Sequence, residues 1–311
     1  MGYRLFVPLV SILLSFSAKA AIFGADDRVA ITPTSSLYSY ARSTAVAVLS
    51  ANFSIESGKL NLDLDSLSDL VCRDQRFSKD PSLSYACTGF LVAPDLIATA
   101  GHCMVNTGES RHETDTYCEA FSWLFDYQSN ILGQFDAANI SSSKLYRCKE
   151  VIYAINESSS PFRDFALVRL DRPVKDRKPL SLNTNAVISG PLSMIGYPLG
   201  SPAKLSRGAS ILLNNPARQS FITNLDAFEG NSGSPVFNRK MEVIGILIAG
   251  NPFPSLIPDK RTTCERYNVC NEKGENCRVP DTTSATQAGF QKNGSEVQRI
   301  EPLKKLIDES I

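Results

Sequence analysis

The stretch LDAFEGNSGSPVF, residues 225–237, decides how the rest of the sequence is interpreted. It holds two serines, Ser232 and Ser234, and a glycine stands on each side of the first. Glycine permits turns in which backbone N–H groups converge, and two converging N–H groups are what a tetrahedral oxyanion requires. The pattern therefore makes this stretch a candidate site for an oxyanion, with Ser232 and Ser234 as the possible nucleophiles.

The bulk composition limits the possible partners. The chain has 311 residues, which is enough for one large domain or two of intermediate size. Lysine plus arginine number 32 and aspartate plus glutamate also number 32, so the formal net charge is zero. Because nucleic-acid-binding domains carry a basic excess, we expect no nucleic-acid partner.

The first twenty residues have the pattern of an export signal. Arg4 supplies a positive charge, residues 5–16 form an apolar core, and Ala18 and Ala20 are small residues before a cleavage site. A membrane anchor is the alternative, but the core is too short to cross a bilayer. We therefore predict a signal peptide over 1–20, a mature chain from near Ala21, and a secreted or periplasmic monomer without a stable membrane anchor.

The cysteine count agrees with export. An even number of cysteines in an exported chain usually forms disulfides, and eight cysteines allow 105 pairings. The alternative is a metal site at Cys264, Cys270 and Cys277, but their spacing is wider than in zinc knuckles and no histidine is near. We therefore expect disulfides and no metal. The eight are Cys72, Cys87, Cys103, Cys118, Cys148, Cys264, Cys270 and Cys277.

Short apolar segments bounded by glycine, proline, asparagine and aspartate predict strands. Many short strands and a single late helix favour an all-β sandwich or barrel. The helix is predicted from the spacing of Val297, Ile300, Leu303, Leu306 and Ile307, and Pro302 is a position at which it can begin. The strands are predicted at 44–55, 87–103, 164–174, 191–200, 209–215 and 236–250.

Two further segments have no regular pattern. Residues 172–190 are the best candidate for a linker between domains. Residues 251–296, which contain three cysteines, are predicted to be a long loop region held by disulfides.

Two more residues complete a catalytic pattern with Ser232. His102 follows an apolar run in ATAGHC and is a candidate general base, although a structural histidine is the alternative for that motif alone. Asp164 opens the apolar strand DFALVRL, where a carboxylate is costly unless something pairs with it. The order His102, Asp164, Ser232 differs from that of subtilisin and of α/β-hydrolases, whose nucleophile elbow also requires glycine where Ser234 stands.

The blocks TAGHC, DFALVRL and GNSGSPVFN resemble chymotrypsin-fold (trypsin-like) serine peptidases over nearly the whole mature chain. GNSGSPVFN and GADDRVAI look most like the bacterial glutamyl-endopeptidase-like branch. The resemblance implies two packed six-stranded antiparallel β-barrels with a C-terminal helix. Residues 21–175 would form the first barrel and residues 185–311 the second, with the active site in the cleft between them.

The resemblance also implies the role of each residue. Ser232 is the nucleophile, His102 transfers the proton, and Asp164 orients His102. The N–H groups of Gly230 and Ser232 form the oxyanion hole, and no cofactor is needed. A disulfide between Cys87 and Cys103 would brace the histidine loop, which at about fifteen residues corresponds to about 3 kcal/mol in the chain-entropy treatment.

Specificity is predicted from departures within the family pattern. The zymogen aspartate before the nucleophile is replaced by Asn231, so we expect no activation switch of that type. The histidine of glutamate-specific members is replaced by Leu247, which disfavours a glutamate-specific enzyme. Asp226 has the spacing of the trypsin pocket aspartate and, with Gly250 opposite, is predicted to bind a substrate Arg or Lys.

Alternatives remain at these positions. Asp226 is otherwise a turn residue that accepts local N–H groups. Glu229, beside the oxyanion glycine, either adds preference for basic residues or is only solvated. His112 is expected in a surface loop.

The sequence therefore favours an exported serine endopeptidase that cleaves peptides and proteins after Arg or Lys. A glutamyl-type or broad-specificity peptidase is the first alternative. The second is a non-catalytic binding protein with a protease fold, although all three members of the triad are present. An esterase is compatible with triad chemistry, but the resemblance disfavours it.

Overall fold

The structure is a computed structural model that describes residues 21–84, 86–106, 114–137, 140–157, 162–185, 188–250, 255–278 and 293–311. The predicted signal peptide, residues 1–20, and His112 lie outside these ranges. No helix within the described ranges is long and apolar enough to cross a lipid bilayer.

Short strands dominate the described chain, and three short helices accompany them. The strands are β1 (Ile22–Phe23), β2 (Val29–Ala30), β3 (Thr44–Leu49), β4 (Phe53–Glu56), β5 (Lys59–Leu62), β6 (Asp65–Ser66), β7 (Pro81–Ser82), β8 (Thr88–Ala93), β9 (Leu96–Thr99), β10 (Phe121–Phe125), β11 (Leu145–Asn156), β12 (Asp164–Leu170), β13 (Leu192–Gly196), β14 (Lys204–Ala209), β15 (Ile211–Leu213), β16 (Ser220–Thr223), β17 (Pro235–Phe237), β18 (Val243–Ala249), β19 (Leu256–Pro258), β20 (Glu265–Tyr267), β21 (Val269–Cys270) and β22 (Ser295–Arg299). The helices are α1 (Tyr38–Arg42), α2 (Thr114–Ala120) and α3 (Glu301–Ser310).

A closed barrel of six antiparallel strands forms the first half of the fold. Its strand order is β10-β11-β12-β9-β8-β3. The residues of β8, β9 and β10 are buried throughout, and strands buried on both faces appear in a sequence as continuous apolar runs. Phe90, Trp123 and Phe125 are fully buried in the core of this barrel.

The second half is a curled eight-stranded sheet in the order β15-β16-β22-β18-β17-β13-β14-β2. Only Ser210 separates β14 from β15 along the chain. In the sheet, however, β15 is the edge strand at one end and β14 is next to the edge strand at the other, so the chain bends sharply at Ser210. The all-β prediction is confirmed. Where six strands were expected in this half there are eight, because β2 joins one edge and Ser210 divides a bent strand in two.

The two chain ends cross between the halves. At the N-terminal end, β2 pairs with β14 of the second sheet, and β1 pairs with β21. At the C-terminal end, Leu303 and Ile307 of α3 pack in the apolar core of the first barrel. Arg169 of β12 also donates a hydrogen bond to the carbonyl oxygen of Ser310 at 3.0 Å. Each half is therefore completed by a segment from the other end of the chain.

The predicted terminal helix begins later than its apolar spacing suggested. Val297 lies in β22, where it is fully buried and pairs with Phe221 and Leu247 of the neighbouring strands. The helix α3 starts at Glu301, and Pro302 occupies its first turn, where the missing N–H costs nothing. The pairing of β22 on both edges explains why strand structure is retained before the proline.

The segment between the two halves is mostly irregular, as predicted for a linker. The described residues of 171–190 form no helix or strand, apart from an isolated bridge between Leu182 and Val243. The domain boundaries at 175 and 185 stay a prediction.

All eight cysteines, each within the described ranges, are in disulfides. The pairs are Cys72–Cys264, Cys87–Cys103, Cys118–Cys148 and Cys270–Cys277. The Cys72–Cys264 disulfide joins residues 192 positions apart, so it ties the late loop region to the first half. The predicted disulfide-rich character of the chain is therefore present in the fold.

A buried arginine anchors the end of β10 to the linker. The side chain of Arg177 is only 2% exposed, and it contacts Asp126 and Asp176 at 2.9 Å each. Burial raises the pKa of Asp126, but the hydrogen bond and charge of Arg177, helped by Lys144, outweigh it and lower that pKa. The carboxylate of Asp126 is therefore ionised and held by cations.

We expect Arg177→Met to destabilise the fold by about 3 kcal/mol, because it leaves Asp126 with only Arg42 and Lys144 as partners. Thermal unfolding of the purified protein measures this loss. Lys305→Met is the control, since Lys305 is exposed and lies 3.9 Å from Glu309, and it should change stability by less than about 0.5 kcal/mol. Equal effects of the two variants would contradict the anchoring role of Arg177.

Candidate active site

His102 and Asp164 are joined by two hydrogen bonds where two strands of the first barrel end. Asp164 is the first residue of β12, and His102 lies in the turn that follows β9. The backbone N–H of His102 donates to Asp164 Oδ1 at 2.9 Å. Its ring Nδ1 lies 2.7 Å from Asp164 Oδ2, so a carboxylate there selects the tautomer with hydrogen on Nδ1.

Asp164 also sets the basicity of His102. Burial alone lowers the pKa of His102, but the charge of Asp164 and its hydrogen bond outweigh burial, so the pKa is raised above its ordinary value. With Nδ1–H bound to the carboxylate, Nε2 is the nitrogen that remains to accept a proton. His102 therefore has the tautomer and basicity that suit a general base.

Gly101 explains why glycine precedes the histidine. A Cβ atom at this position would lie 1.8 Å from the carbonyl oxygen of Ile155 in β11. The turn that carries His102 can therefore pack against β11 only without a side chain at position 101.

The serine loop is fastened to the first barrel by Thr88. The N–H of Thr88 donates to the carbonyl oxygen of Ser232 at 2.7 Å, and its hydroxyl donates to that of Gly230 at 2.7 Å. Gly230 has φ of 89°, and a Cβ atom there would lie 2.3 Å from the carbonyl oxygen of Tyr197. This position therefore requires glycine.

The N–H groups of Gly230 and Ser232 have no acceptor among the described residues. The carbonyl oxygen of Glu229 accepts from the N–H of Leu199 at 2.5 Å. Because a trans peptide is planar, the N–H of Gly230 points away from Leu199. These two donors are therefore available to an oxyanion.

The two serines of the motif have different environments. Ser234 is fully buried, and its Oγ has no hydrogen-bond partner among the described residues. That oxygen lies 2.1 Å from where a Cβ atom of Gly196 would be, so Ser234 fills space against Gly196. Ser232 instead lines an open cavity together with His102.

This cavity has a volume of about 710 Å³ and lies between the two halves. Its apolar wall includes Leu67, Leu83, Phe121 and Leu199. Three carboxylate residues also line it, and none of the described residues that line it is a lysine or an arginine. The three are Asp65, Asp69 and Glu229.

A family model described as "Trypsin-like peptidase domain" matches residues 87–246, which is more than half of the chain. The chain belongs to the trypsin-like peptidase family. The matched range contains the histidine turn, Asp164 and the serine loop, so the predicted recognition is confirmed at the level of the family.

A curated relative of this trypsin-like peptidase is a glutamyl endopeptidase of Staphylococcus aureus (strain MRSA252), 27% identical over 183 residues. The alignment covers 55% of the chain and 45% of that relative, so the chain spans less than half of the relative's length. Solved structures that the chain matches include a Glu endopeptidase in complex with MPD, with a TM-score of 0.46, 18% identity and coverage of 74% of this chain and 87% of the other. A serine endoprotease from Yersinia pestis has a TM-score of 0.40, 12% identity and coverage of 69% and 56%.

In this trypsin-like peptidase, Asp226 and Gly250 are not among the residues that line the cavity beside Ser232. Asp226 is 4% exposed, and its Oδ1 accepts the backbone N–H of Phe23 in β1 at 2.7 Å. Its Oδ2 has no hydrogen-bond partner among the described residues. The predicted contact of Asp226 with a substrate Arg or Lys stays a prediction, and the N-terminal strand is the neighbour that the structure gives it.

Burial determines the ionisation of Asp226. It raises the pKa of this carboxyl group to about 8, against a smaller lowering by the Phe23 hydrogen bond and the charge of Arg28. The group is therefore mostly protonated at neutral pH, and a neutral acid is a weak partner for a basic side chain.

No sequence motif pointed to the carboxylates Asp65 and Asp69 or to Thr88. Asp65 lies in β6 and Asp69 in the short 3₁₀ helix that follows it, both far along the chain from any catalytic motif, and Thr88 is the first residue of β8. Only the packing of the two halves brings Asp65 and Asp69 to the cavity that Ser232 lines and Thr88 to the serine loop. Glu229, in contrast, was named from the sequence because it stands next to Gly230, and it does line the cavity.

One group of possible metal ligands exists among the described residues. The ligand atoms of Cys87, His102 and Cys103 lie within 4.8 Å of one another. The two sulfur atoms are bonded to each other at 2.04 Å, so neither is a thiolate that could hold a metal.

We expect Asp226→Asn to stabilise the protein increasingly as pH rises. The folded-state pKa of about 8 exceeds the ordinary 3.8, so the stability contributed by the protonated acid is lost between about pH 4 and 8. The asparagine keeps an acceptor for Phe23 and does not ionise. Thermal unfolding at pH 5 and pH 8 should show the gain growing by about 4 kcal/mol.

The same variant tests the predicted substrate contact. If Asp226 bound a substrate Arg or Lys, Asp226→Asn would raise KM for basic peptides at least about tenfold. From its contact with β1 we expect KM to stay within about twofold, which is small on the scale of a lost charged hydrogen bond.

Proposed function

We propose that this protein is an exported serine endopeptidase in which His102, Asp164 and Ser232 form the catalytic triad. The observation that carries the proposal is the pair of hydrogen bonds from His102 to Asp164, at 2.9 and 2.7 Å. Ser232 lines the same cavity as His102. Membership of the trypsin-like peptidase family supports the assignment.

The proposed reaction uses two proton transfers by His102. Ser232 Oγ attacks the peptide carbonyl carbon while His102 Nε2 takes its proton. The N–H groups of Gly230 and Ser232 stabilise the oxyanion, and the protonated His102 then donates to the leaving amine. Water hydrolyses the acyl-enzyme by the same route in reverse, and Asp164 stabilises the imidazolium each time.

Export is supported by the covalent structure. Disulfides persist in oxidising compartments, and the described residues form four of them. We therefore propose a secreted or periplasmic enzyme whose partners are peptides and proteins.

The charges of the cavity support a preference for basic side chains next to the scissile bond. Asp65, Asp69 and Glu229 line the cavity of Ser232 without a lysine or arginine among its described lining residues. Desolvation, helped by the charge of Glu265, raises the pKa of Glu229. An acidic substrate side chain would meet like charge here, so this cavity disfavours a glutamyl specificity.

Substitution of the triad residues tests the reaction. We expect Ser232→Ala to lower kcat for peptide hydrolysis by about 10⁶ and Asp164→Asn by about 10⁴. Ser234→Ala, in the same loop, serves as the control and should retain most of the activity, because its Oγ is buried. Chromogenic peptides ending in Arg, Lys, Glu, Phe or Ala are the substrates. Absence of hydrolysis by the mature wild-type protein would favour the non-catalytic alternative.

Neutralising Glu229 tests the preference. We expect Glu229→Gln to lower kcat/KM for peptides with Arg or Lys beside the scissile bond by about fivefold, because a partly exposed ion pair is weak. Peptides with Ala or Phe should be unaffected. Glu309→Gln is the matched control, since it removes the same charge from α3, away from the cavity. A uniform loss over all peptides would contradict a specificity role.

A further inference from the structure

We propose that Gln298 is a positioning residue, which holds Asp164 in place by accepting its backbone N–H. This inference rests on the proposed triad and adds a fourth residue to its support. Gln298 lies in β22 of the second half, whereas Asp164 and His102 belong to the first barrel. No catalytic motif contains it.

The strand register explains why the N–H of Asp164 needs a partner outside its own barrel. Asp164 pairs with Asn156 of β11, and the N–H of Glu157 donates to the carbonyl oxygen of Arg163. By the alternation of an antiparallel ladder, the N–H of Asp164 then faces away from β11. On that side the pairing with β9 begins only at Ala166, because β9 ends at Thr99.

Gln298 fills this gap. Its Oε1 accepts the N–H of Asp164 at 3.1 Å. A buried N–H group without an acceptor is costly, so this bond replaces the ladder partner that β9 cannot supply. The acceptor comes from a side chain because the turn that carries His102 begins where β9 would otherwise continue past Thr99 and pair with Asp164.

The side-chain amide of Gln298 is itself fixed. The residue is fully buried, and its backbone pairs with Ser220 on one side and Ile246 on the other. Its Nε2 donates to the carbonyl oxygen of Gln219 at 2.8 Å. Only one orientation of the amide places Oε1 toward the N–H of Asp164 and Nε2 toward the carbonyl oxygen of Gln219.

The hydrogen bonds continue from Gln298 to the base. The backbone of Asp164 is held by Gln298, and its two carboxylate oxygens are held by the N–H and the ring of His102. A shift of the Asp164 backbone moves the carboxylate relative to the imidazole. Position errors of this kind reduce rates far more than they reduce binding.

A neutral amide suits this position better than an acid. Glu296 lies two residues earlier on β22 and is 4% exposed, so the strand already carries one buried carboxyl group near Asp164. Burial raises the pKa of Glu296, and the charge of Asp164 adds to that rise, while Ser220 and Arg218 oppose it. A glutamine supplies the acceptor that Asp164 needs without a further negative charge.

The first test is Gln298→Met, which keeps the size of the side chain and removes the acceptor. We expect kcat to fall about 10- to 100-fold while KM changes less than about twofold. The pKa of His102 should fall as its coupling to Asp164 loosens. It is measured from the acid limb of kcat/KM and from ring-proton NMR, which is simplified because the chain has only two histidines.

The control is Ile307→Val, which weakens the packing of α3 just beyond β22. It should lower the unfolding temperature without changing kcat or the pKa of His102. If Gln298→Met likewise lowers only the unfolding temperature, Gln298 is merely structural and the proposal is overturned.

A second variant, Gln298→Glu, keeps an acceptor oxygen. Desolvation and the neighbouring acids should keep this glutamate protonated, so its O–H can serve Gln219. We expect it to retain most of the wild-type kcat. Should Gln298→Met not fold, a loss greater than about tenfold in Gln298→Glu would overturn the proposal, because the acceptor would then be insufficient.

Failure of the proposed function is distinguishable from failure of this inference. If the wild-type protein cleaves no peptide, the triad assignment fails, whatever the variants do. If it cleaves and Ser232→Ala does not, only the Gln298 variants decide the positioning role. The NMR pKa of His102 reports on the coupling to Asp164 in either case.

Discussion

The burial of one carboxylate organises the active-site region of this protein. Asp164 stands at the start of a barrel strand, where its side chain is only 14% exposed. A buried carboxylate must be paired or hydrogen-bonded, and His102 provides two hydrogen bonds while Gln298 holds the backbone behind them. The same contacts that make this burial tolerable also select the tautomer of His102 and raise its pKa. Stability and the proposed catalytic role of His102 therefore depend on one set of contacts.

The two halves of the molecule are held in register by contacts that cross between them. Thr88 of the first barrel binds the carbonyl groups of Gly230 and Ser232 in the serine loop, and α3 returns from the second sheet to the first core. The N-terminal strands cross in the opposite direction. A catalytic site formed from two halves requires both to keep their relative position to a fraction of an ångström, and crossing termini impose that constraint mechanically.

The position that the sequence pattern suggested for a substrate contact does not line the cavity beside Ser232. Asp226 has the expected spacing before Ser232, but its carboxyl group is buried against Phe23 and mostly protonated at neutral pH. The carboxylates that line the cavity come from Glu229 and, in the first half, from Asp65 in β6 and Asp69 in the 3₁₀ helix after it. Spacing along a chain fixes neither the neighbours of a side chain nor its exposure, and these two properties set its charge.

The sequence by itself determined the all-β class, the family and the three motifs, because these depend on local patterns. Strand ends, tight turns and glycines beside a serine are specified within a few residues, as Gly101 and Gly230 illustrate. Tertiary structure alone decided the three disulfide pairings other than Cys87–Cys103, the extra strand β2, the start of the last helix and the partner of Asp226. It also decided that Gln298 reaches Asp164 across 134 positions. Such contacts depend on how the two halves pack. A local sequence pattern does not show which distant side chain will accept a hydrogen bond from a buried N–H group.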